Sequence, residues 1–143
     1  MSKENESVFR RWVEEVWNNG KEATIEELFD ADGIAEYQYF VGNKPLRGRN
    51  RFKGFVRLMR KMFTDLDVTI EQIAADEKKV LAVCQVTAKR RSKEIDGLTT
   101  YKSITVSGLC QMIFENGRII REWNNINLLE NSDSTENNNS QTV

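Results

Sequence analysis

Residues 51–73, RFKGFVRLMRKMFTDLDVTIEQI, contain the point at which the hydrophobic pattern changes from helical to extended. Apolar side chains before that point fall on one face of a helix; they are Phe52, Phe55, Val56, Met59 and Phe63. After it, apolar and polar residues alternate as in a half-buried strand; the apolar members are Leu66, Val68 and Ile70. The stretch therefore predicts a helix over residues 49–63 and a strand directly after it.

Two further helices and one strand are predicted before this stretch. Residues 8–17 carry one apolar helical stripe, and Asn18-Asn19-Gly20 is typical of a helix end. Thr24 and Glu27 have the spacing of a capping box, which predicts a short second helix that ends near Asp30. Residues 34–40 are aromatic and extended, and glycine and proline follow them, so they predict the first strand.

The C-terminal half is predicted to be all strand. Residues 76–79 and Asn116-Gly117 are turn signals that give two antiparallel hairpins, and residues 92–100 form a polar connection between them. Three N-terminal helices beside such strands indicate an α+β fold. We expect the helices to pack on a strongly curved antiparallel sheet, forming a cone with an apolar pocket.

Length and composition fit one globular domain. The chain has 143 residues, of which 39% are hydrophobic, and we assign residues 1–129 to the domain and residues 130–143 to a polar, disordered tail. The net charge of −1 gives no overall field for a nucleic acid or an anionic membrane. No apolar run reaches the length of a membrane span or a signal peptide. We therefore expect a soluble, cytoplasmic protein without a membrane partner.

Several kinds of chemistry are excluded by missing residues. The chain has no histidine, which removes imidazole-based nucleophilic catalysis and the usual zinc sites. Its two cysteines, Cys84 and Cys110, lie in apolar runs and are predicted to be reduced core thiols. The glycines do not form a phosphate-binding loop. We predict neither a metal nor a cofactor.

Five segments resemble the nuclear transport factor 2-like superfamily, which has a cystatin-like fold, and within it the SnoaL-like polyketide cyclases and the related ketosteroid isomerases. The segments occur in the family's order. They are FRRWVEEVWN (9–18), LFDAD (28–32), GNKPLRG (42–48), FTDLDVTIEQI (63–73) and FENGRIIREWNNIN (114–127). The resemblance covers roughly residues 7–129 and implies the helix-and-cone fold described above.

The catalytic residues of these relatives are replaced. Tyr37 stands where the resemblance to ketosteroid isomerases places the aspartate base, and Asn124 and Asn127 stand where polyketide cyclases carry aspartate. An amide donates a hydrogen bond to an oxygen but does not take a proton from carbon. If the protein is an isomerase or cyclase, the candidates for polarising a carbonyl are Tyr37, Asn125 and Asn127. Because no carboxylate occupies a suitable position for the base, we predict that the protein does not abstract a proton from carbon.

The strand and helix periods suggest the lining of the pocket. Tyr37 and Tyr39 share one face of the first strand, as do Trp123, Asn125 and Asn127 on the last strand. The full set of predicted ligand-binding residues is Trp12, Val16, Tyr37, Tyr39, Phe55, Met59, Trp123, Asn125 and Asn127. This set predicts binding of a small apolar or aromatic molecule, such as a polyketide-like or other carbonyl compound. The alternative is a non-catalytic interaction or assembly module whose pocket its own side chains fill.

Two surface features bear on other partners. Residues 47–61 contain seven basic and no acidic residues, but their apolar members lie on the buried stripe, so we expect a solvated helix face rather than a nucleic-acid site. In the later strands Leu81, Val83, Leu109 and Ile113 are out of phase with the inward residues. Both faces of the sheet are thus apolar, and with the resemblance this predicts a homodimer through the outer face. Glu36 is predicted to face away from the pocket.

Overall fold

The computed structural model describes residues 2–37 and 44–128. The helices are α1 (Ser2–Trp12), which continues as a π-helical turn (Val13–Asn18), α2 (Glu22–Leu28) and α3 (Arg49–Met62). The strands are β1 (Phe29–Tyr37), β2 (Leu46–Arg47), β3 (Phe63–Ala75), β4 (Lys79–Ile95), β5 (Leu98–Glu115) and β6 (Arg118–Asn124). The expected helices and the α+β class are confirmed, while residues 130–143 and residues 38–40 of the predicted first strand lie outside the described residues.

The strands form one sheet in the order β2-β1-β6-β5-β4-β3. The expectation of a purely antiparallel sheet is wrong, because β1 pairs with β6 in parallel. The first strand follows α2 and runs beside the last strand, and such a parallel pair needs the long connection that α3 and four strands provide. The sheet is therefore mixed.

Residues 92–100 form a third hairpin rather than a polar connection. The strands β4 and β5 pair as far as Ile95 and Leu98, and only Asp96-Gly97 turns between them. Both turn residues have positive φ, as do Asn116 and Gly117 in the next hairpin. Two-residue hairpin turns of this kind require that conformation, which aspartate, asparagine and glycine tolerate.

The second helix also differs from its prediction. It begins after Lys21, and Thr24 does not cap it. Thr24 instead donates a hydrogen bond to Glu15 at 2.5 Å, which ties α2 to the π-helical turn. The Thr-x-x-Glu spacing is therefore not a capping box here, because Thr24 bonds to the π-helical turn and not to its own helix.

The hydrophobic core lies between the helices and the inner face of the sheet. From Val80 to Ala88 of β4 every second residue is buried, and the helices contribute their apolar stripes. At its centre three rings stack, with Phe52 placed 5.5 Å from Trp12 and 4.9 Å from Phe29, centroid to centroid. Aromatic stacking of this kind fixes how α1, α3 and β1 meet.

Opposite charges on α2 pair with the basic stretch of α3. Glu22 accepts two hydrogen bonds from Arg57, and Glu26 pairs with Arg49 and Lys53. This is the balanced, solvated helix face that the sequence predicts. No helix in the described ranges 2–37 and 44–128 is long and apolar enough to span a membrane.

Candidate functional site

The helices and the inner face of the sheet enclose an apolar cavity of about 70 Å³. Its wall combines aromatic rings from α1, the π-helical turn, β1 and β6 with aliphatic side chains from β3 and β4. The aromatic members are Phe9, Trp12, Trp17, Tyr37 and Trp123. Among the described residues, the side chains that bring polar groups to this wall are Tyr37, Glu122, Asn124 and the Trp12 indole, and none is basic.

Glu122 is the one carboxylate in the described lining of this cavity. The sheet places it between Ala35 of β1 and Met112 of β5, both buried and apolar. The side chain is 5% exposed. This burial raises the pKa of Glu122 from 4.5 to about 8, and the nearby Trp12 indole offsets only part of the rise. At neutral pH the carboxyl group is therefore mostly protonated.

Three buried polar atoms around the cavity lack a hydrogen-bond partner in the described part of the chain. They are the indole nitrogen of Trp12, the hydroxyl of Tyr37 and Oε2 of Glu122. Buried polar groups are nearly always paired, because an unpaired one costs about 1–3 kcal/mol. All three residues belong to the lining of the cavity.

Rigid packing holds Tyr37 in place. Its ring lies 4.6 Å from that of Phe55 and 6.0 Å from that of Trp17, centroid to centroid. The hydroxyl is thus presented at a fixed position, as a ligand-orienting group requires.

The π-helical turn at residues 13–18 belongs to the same site. It contributes Val13 and Trp17 to the cavity wall. Its end is tied to the sheet by Asn18, whose amide accepts a hydrogen bond from Val68 N and donates one to Val68 O. Arg60 of α3 donates hydrogen bonds to the carbonyl groups of Trp17 and Asn18 and so satisfies two acceptors at the C-terminal end of the π-helical turn. Single-turn π-helices are frequent at functional sites.

Four of the nine predicted ligand-binding residues line the cavity: Trp12, Tyr37, Met59 and Trp123. Val16 and Phe55 are buried behind the wall, where they pack rather than line it. Tyr39 lies outside the described residues. Asn125 and Asn127 do not line the cavity.

The prediction that Trp123, Asn125 and Asn127 together face the pocket is wrong because of a β-bulge. Phe114 pairs with Ile119 but Ile113 pairs with Arg121, so Ile120 is an extra residue in β6. One extra residue exchanges the two faces of every position that follows it. The buried residues after it are Glu122, Ile126 and Leu128.

The side chain of Asn125 instead hydrogen-bonds to the backbone of β5. Its side-chain oxygen accepts a hydrogen bond from Leu109 N at 2.7 Å, and its own N–H donates to Leu109 O. The chain passes so close here that a Cβ on Gly108 would lie 2.9 Å from that same oxygen. The amide thus extends the pairing of β5 beyond the end of β6.

The expectation that no carboxylate fits the pocket is also wrong. If side chains alternated between the two faces without interruption after Ile119, Glu122 would lie on the outer face. For this reason the sequence pattern did not predict Glu122 at the cavity. A signal was present, since the apolar Ile126 and Leu128 have the same parity as Glu122. Glu36 does face outward, as predicted, and its Oε1 accepts a hydrogen bond from Arg121 at 2.7 Å.

The described residues contain no cluster of three or more histidine, cysteine, aspartate or glutamate side chains that would hold a metal ion. The functional groups in the described lining include the Glu122 carboxyl group, the Tyr37 phenol, the Trp12 indole, the Asn124 amide and the thiols of Cys84 and Cys110. These groups donate hydrogen bonds to a ligand oxygen, and the carboxyl group can in addition exchange a proton.

Comparison with known proteins places this site in a family. The sequence model of the SnoaL-like polyketide cyclases matches residues 7–132. A search of curated proteins finds no match to the chain.

Solved structures share the fold at low sequence identity. A candidate SnoaL-like polyketide cyclase from Jannaschia sp. CCS1 is 16% identical, with a TM-score of 0.77 over 90% of this chain and 89% of its own. IdmH, a candidate polyketide cyclase from Streptomyces antibioticus, is 19% identical, with a TM-score of 0.77 over 93% of this chain and 98% of its own. A protein with a ketosteroid isomerase-like fold from Catenulispora acidiphila, in complex with trimethylamine, is 17% identical, with a TM-score of 0.65 over 88% of this chain and 92% of its own.

Proposed function

Because the chain belongs to the SnoaL-like polyketide cyclase family, we propose that it binds a small neutral carbonyl compound in the cavity and exchanges a proton with it through Glu122. The observation that carries this proposal is the buried Glu122 carboxyl group, which faces the cavity without a partner for Oε2 in the described chain.

The lining supports a neutral ligand. Apolar side chains dominate the wall, and its described part offers no basic group to hold a carboxylate or phosphate. A ketone oxygen would accept hydrogen bonds from the Tyr37 hydroxyl and the Trp12 indole, which removes their desolvation cost.

The size of the cavity limits the ligand. An apolar cavity of about 150 Å³ holds benzene, so the 70 Å³ here suits a small ketone or one edge of a larger ring system. A polycyclic compound would require side chains of the wall, such as the flexible Met59, to move.

The proton transfer follows from the environment of Glu122. As a carboxylate it would take a proton from the carbon next to the carbonyl group. After that proton has exchanged with solvent, the carboxylic acid would donate a solvent-derived proton to the enolate. Tyr37 and Trp12 would stabilise the negative oxygen between these steps. With a pKa of about 8, roughly a tenth of Glu122 is ionised at pH 7, so both forms are available.

Proton exchange in heavy water tests the proposal. The protein is incubated with small cyclic ketones in D₂O, and NMR follows loss of the α-proton signal. Exchange well above the buffer rate in the wild type, and its loss in Glu122→Gln, is expected. Exchange no faster than buffer for every ketone that binds would contradict the catalytic part. Binding is measured separately by thermal shift, where a ligand at about 100 times its Kd adds about 2.7 kcal/mol of stability.

A cationic amine is a second candidate ligand. The ionised Glu122 would pair with an ammonium group, and the faces of Trp12, Trp17 and Tyr37 would surround it. The similar protein from Catenulispora acidiphila is in complex with trimethylamine. The pH dependence of binding distinguishes the two classes of ligand. The affinity for an amine should increase as pH rises towards 8, whereas the affinity for a neutral ketone should not.

We also propose that two copies associate through the outer face of the sheet. Leu81 and Leu109 on its central strands are 39% and 40% exposed. Sedimentation at micromolar concentration should give twice the chain mass of 16.6 kDa; a single-chain mass would contradict dimerisation.

If no ligand binds and the dimer forms, the alternative of an assembly module is favoured. A cytoplasmic location stays a prediction.

A further inference from the structure

The two cysteines of the chain lie in the wall of the same cavity. Cys84 of β4 is opposite Gly108 of β5, and Cys110 of β5 is opposite Ala82 of β4. The two thiols are therefore diagonal neighbours on adjacent antiparallel strands, and both belong to the cavity lining. Cys84 is buried and Cys110 is half-buried, and both are free thiols.

The two thiols are not equivalent. The pKa of Cys84 lies below its ordinary value, chiefly because the Cys110 thiol stabilises the Cys84 thiolate, while burial opposes the effect. The pKa of Cys110 is raised well above its ordinary value by its interaction with Cys84 and by burial. The interaction between the two thiols thus favours the thiolate on Cys84 and the proton on Cys110.

We propose that Cys84 and Cys110 form a thiol pair that reacts with hydroperoxides and closes to a disulfide across β4 and β5. The reagent must reach sulfur through the cavity, and hydrogen peroxide is close in size to the water that such a cavity admits. This inference does not depend on a ligand of Glu122.

The reaction consists of two balanced steps. The Cys84 thiolate attacks one peroxide oxygen, so that an S–O bond forms, the O–O bond breaks, and the departing oxygen takes a proton to become water or an alcohol. The Cys110 sulfur then attacks the Cys84 sulfenic acid, so that the S–S bond forms and the S–O bond breaks. Hydroxide leaves and combines with the proton of Cys110 as water, and the two thiols have supplied the two electrons that reduce the peroxide.

Closure has a consequence for the site. The Cβ atoms of a diagonal pair stand farther apart than those of a relaxed disulfide. Closure therefore requires local movement of the backbone of β4 and β5 at the cavity wall, and this movement changes the space that a ligand meets. Strained disulfides are readily reduced, so the change is expected to be reversible.

Intact-mass spectrometry of the native protein treated with hydrogen peroxide tests the pair. The chain should lose the mass of two hydrogen atoms, remain a single chain under denaturing conditions, and regain its mass with dithiothreitol. Peptide mapping should show Cys84 joined to Cys110. Oxidation to sulfinic acid without that loss, or a disulfide between two chains, would overturn the proposal.

Single variants assign the two roles. In Cys110→Ser the sulfenic acid should persist on Cys84 and be trapped by dimedone added together with denaturant after the peroxide is removed, whereas Cys84→Ser should give little trapping on Cys110 at the same peroxide concentration. Equal trapping in both variants would contradict the assigned order. If either variant fails to fold, the folded wild type is treated with methyl methanethiosulfonate, a small thiol reagent, and peptide mapping should find Cys84 modified first; preferential modification of Cys110 would count against the assignment.

Discussion

Glu122 and Glu36 are near neighbours in the sheet but lie on its opposite faces. Ala35 pairs with Glu122 and Glu36 pairs with Trp123, so the two carboxylates stand one residue apart on adjacent strands. Glu36 lies outside, 2.7 Å from the guanidinium of Arg121. Glu122 lies inside among apolar side chains, and its pKa is raised to about 8. The same side chain thus pairs with an arginine on one face, whereas on the other face it is mostly neutral and its Oε2 has no partner among the described residues.

The difference supports the proposal that Glu122 is the carboxylate positioned for chemistry. An exposed ion pair is screened by water and contributes about 0–1 kcal/mol. A buried, unpaired carboxyl group costs stability, and a fold retains such a cost where the group is used. Variants that treat the two glutamates identically therefore test the comparison directly.

The largest expected effect is on proton exchange. Glu122→Gln keeps the shape and hydrogen-bonding capacity of the side chain but removes its acid-base function. We expect the α-proton exchange of a bound ketone to fall by about 10²- to 10⁴-fold, with ketone binding retained. Glu36→Gln is the matched control, and it should exchange at the wild-type rate. An equal loss in both variants would show that exchange does not occur at Glu122.

The pH dependence of stability gives the next effect. Between pH 4.5 and about 8 the unfolded chain has released the Glu122 proton that the folded chain retains, so wild-type stability falls as pH rises. Glu122→Gln has no carboxyl group at this position, so its stability should not fall in this way. The difference in the free energy of unfolding between the variant and the wild type should be near zero at pH 4 and grow to the order of 4 kcal/mol above pH 8.

Chemical denaturation of both proteins at pH 4, 6 and 8 measures this difference. A constant difference at every pH would mean that Glu122 titrates normally in the folded protein. Glu36→Gln supplies the reference here too, because an exposed carboxylate should add no comparable rise above pH 6.

Tyr37→Phe should produce a smaller change of a distinctive kind. The hydroxyl has no partner in the described structure, so its removal should leave stability unchanged or slightly higher. A bound ketone would lose one hydrogen bond, and its Kd should rise about fivefold, which corresponds to about 1 kcal/mol. Thermal shift without ligand and titration with ligand measure the two effects. Lower stability with unchanged affinity would assign Tyr37 a packing role only.

The sequence predicts the helices and most strands because their periods are local properties. The 3.6-residue stripe of α3 and the alternation in β3 need no knowledge of the rest of the chain. The parallel pairing of β1 with β6 is not local, since it depends on where the chain returns after α3 and four strands. The prediction of the site was wrong for the last strand, because the bulge at Ile120 reverses the faces of β6 and places Glu122 inside.

The smallest expected effect concerns the outer ion pair itself. Arg121 is half-exposed and its Nε donates to Glu36 Oε1 at 2.7 Å, an arrangement that raises the pKa of Arg121. Because water and salt screen this pair, Glu36→Gln should change the free energy of unfolding by less than about 1 kcal/mol, and the difference should shrink in 1 M salt. Denaturant titrations at low and high salt measure it. A loss of several kcal/mol that salt does not reduce would mean that the outer face is buried in the assembled protein, and the contrast between the two glutamates would then rest on pairing alone.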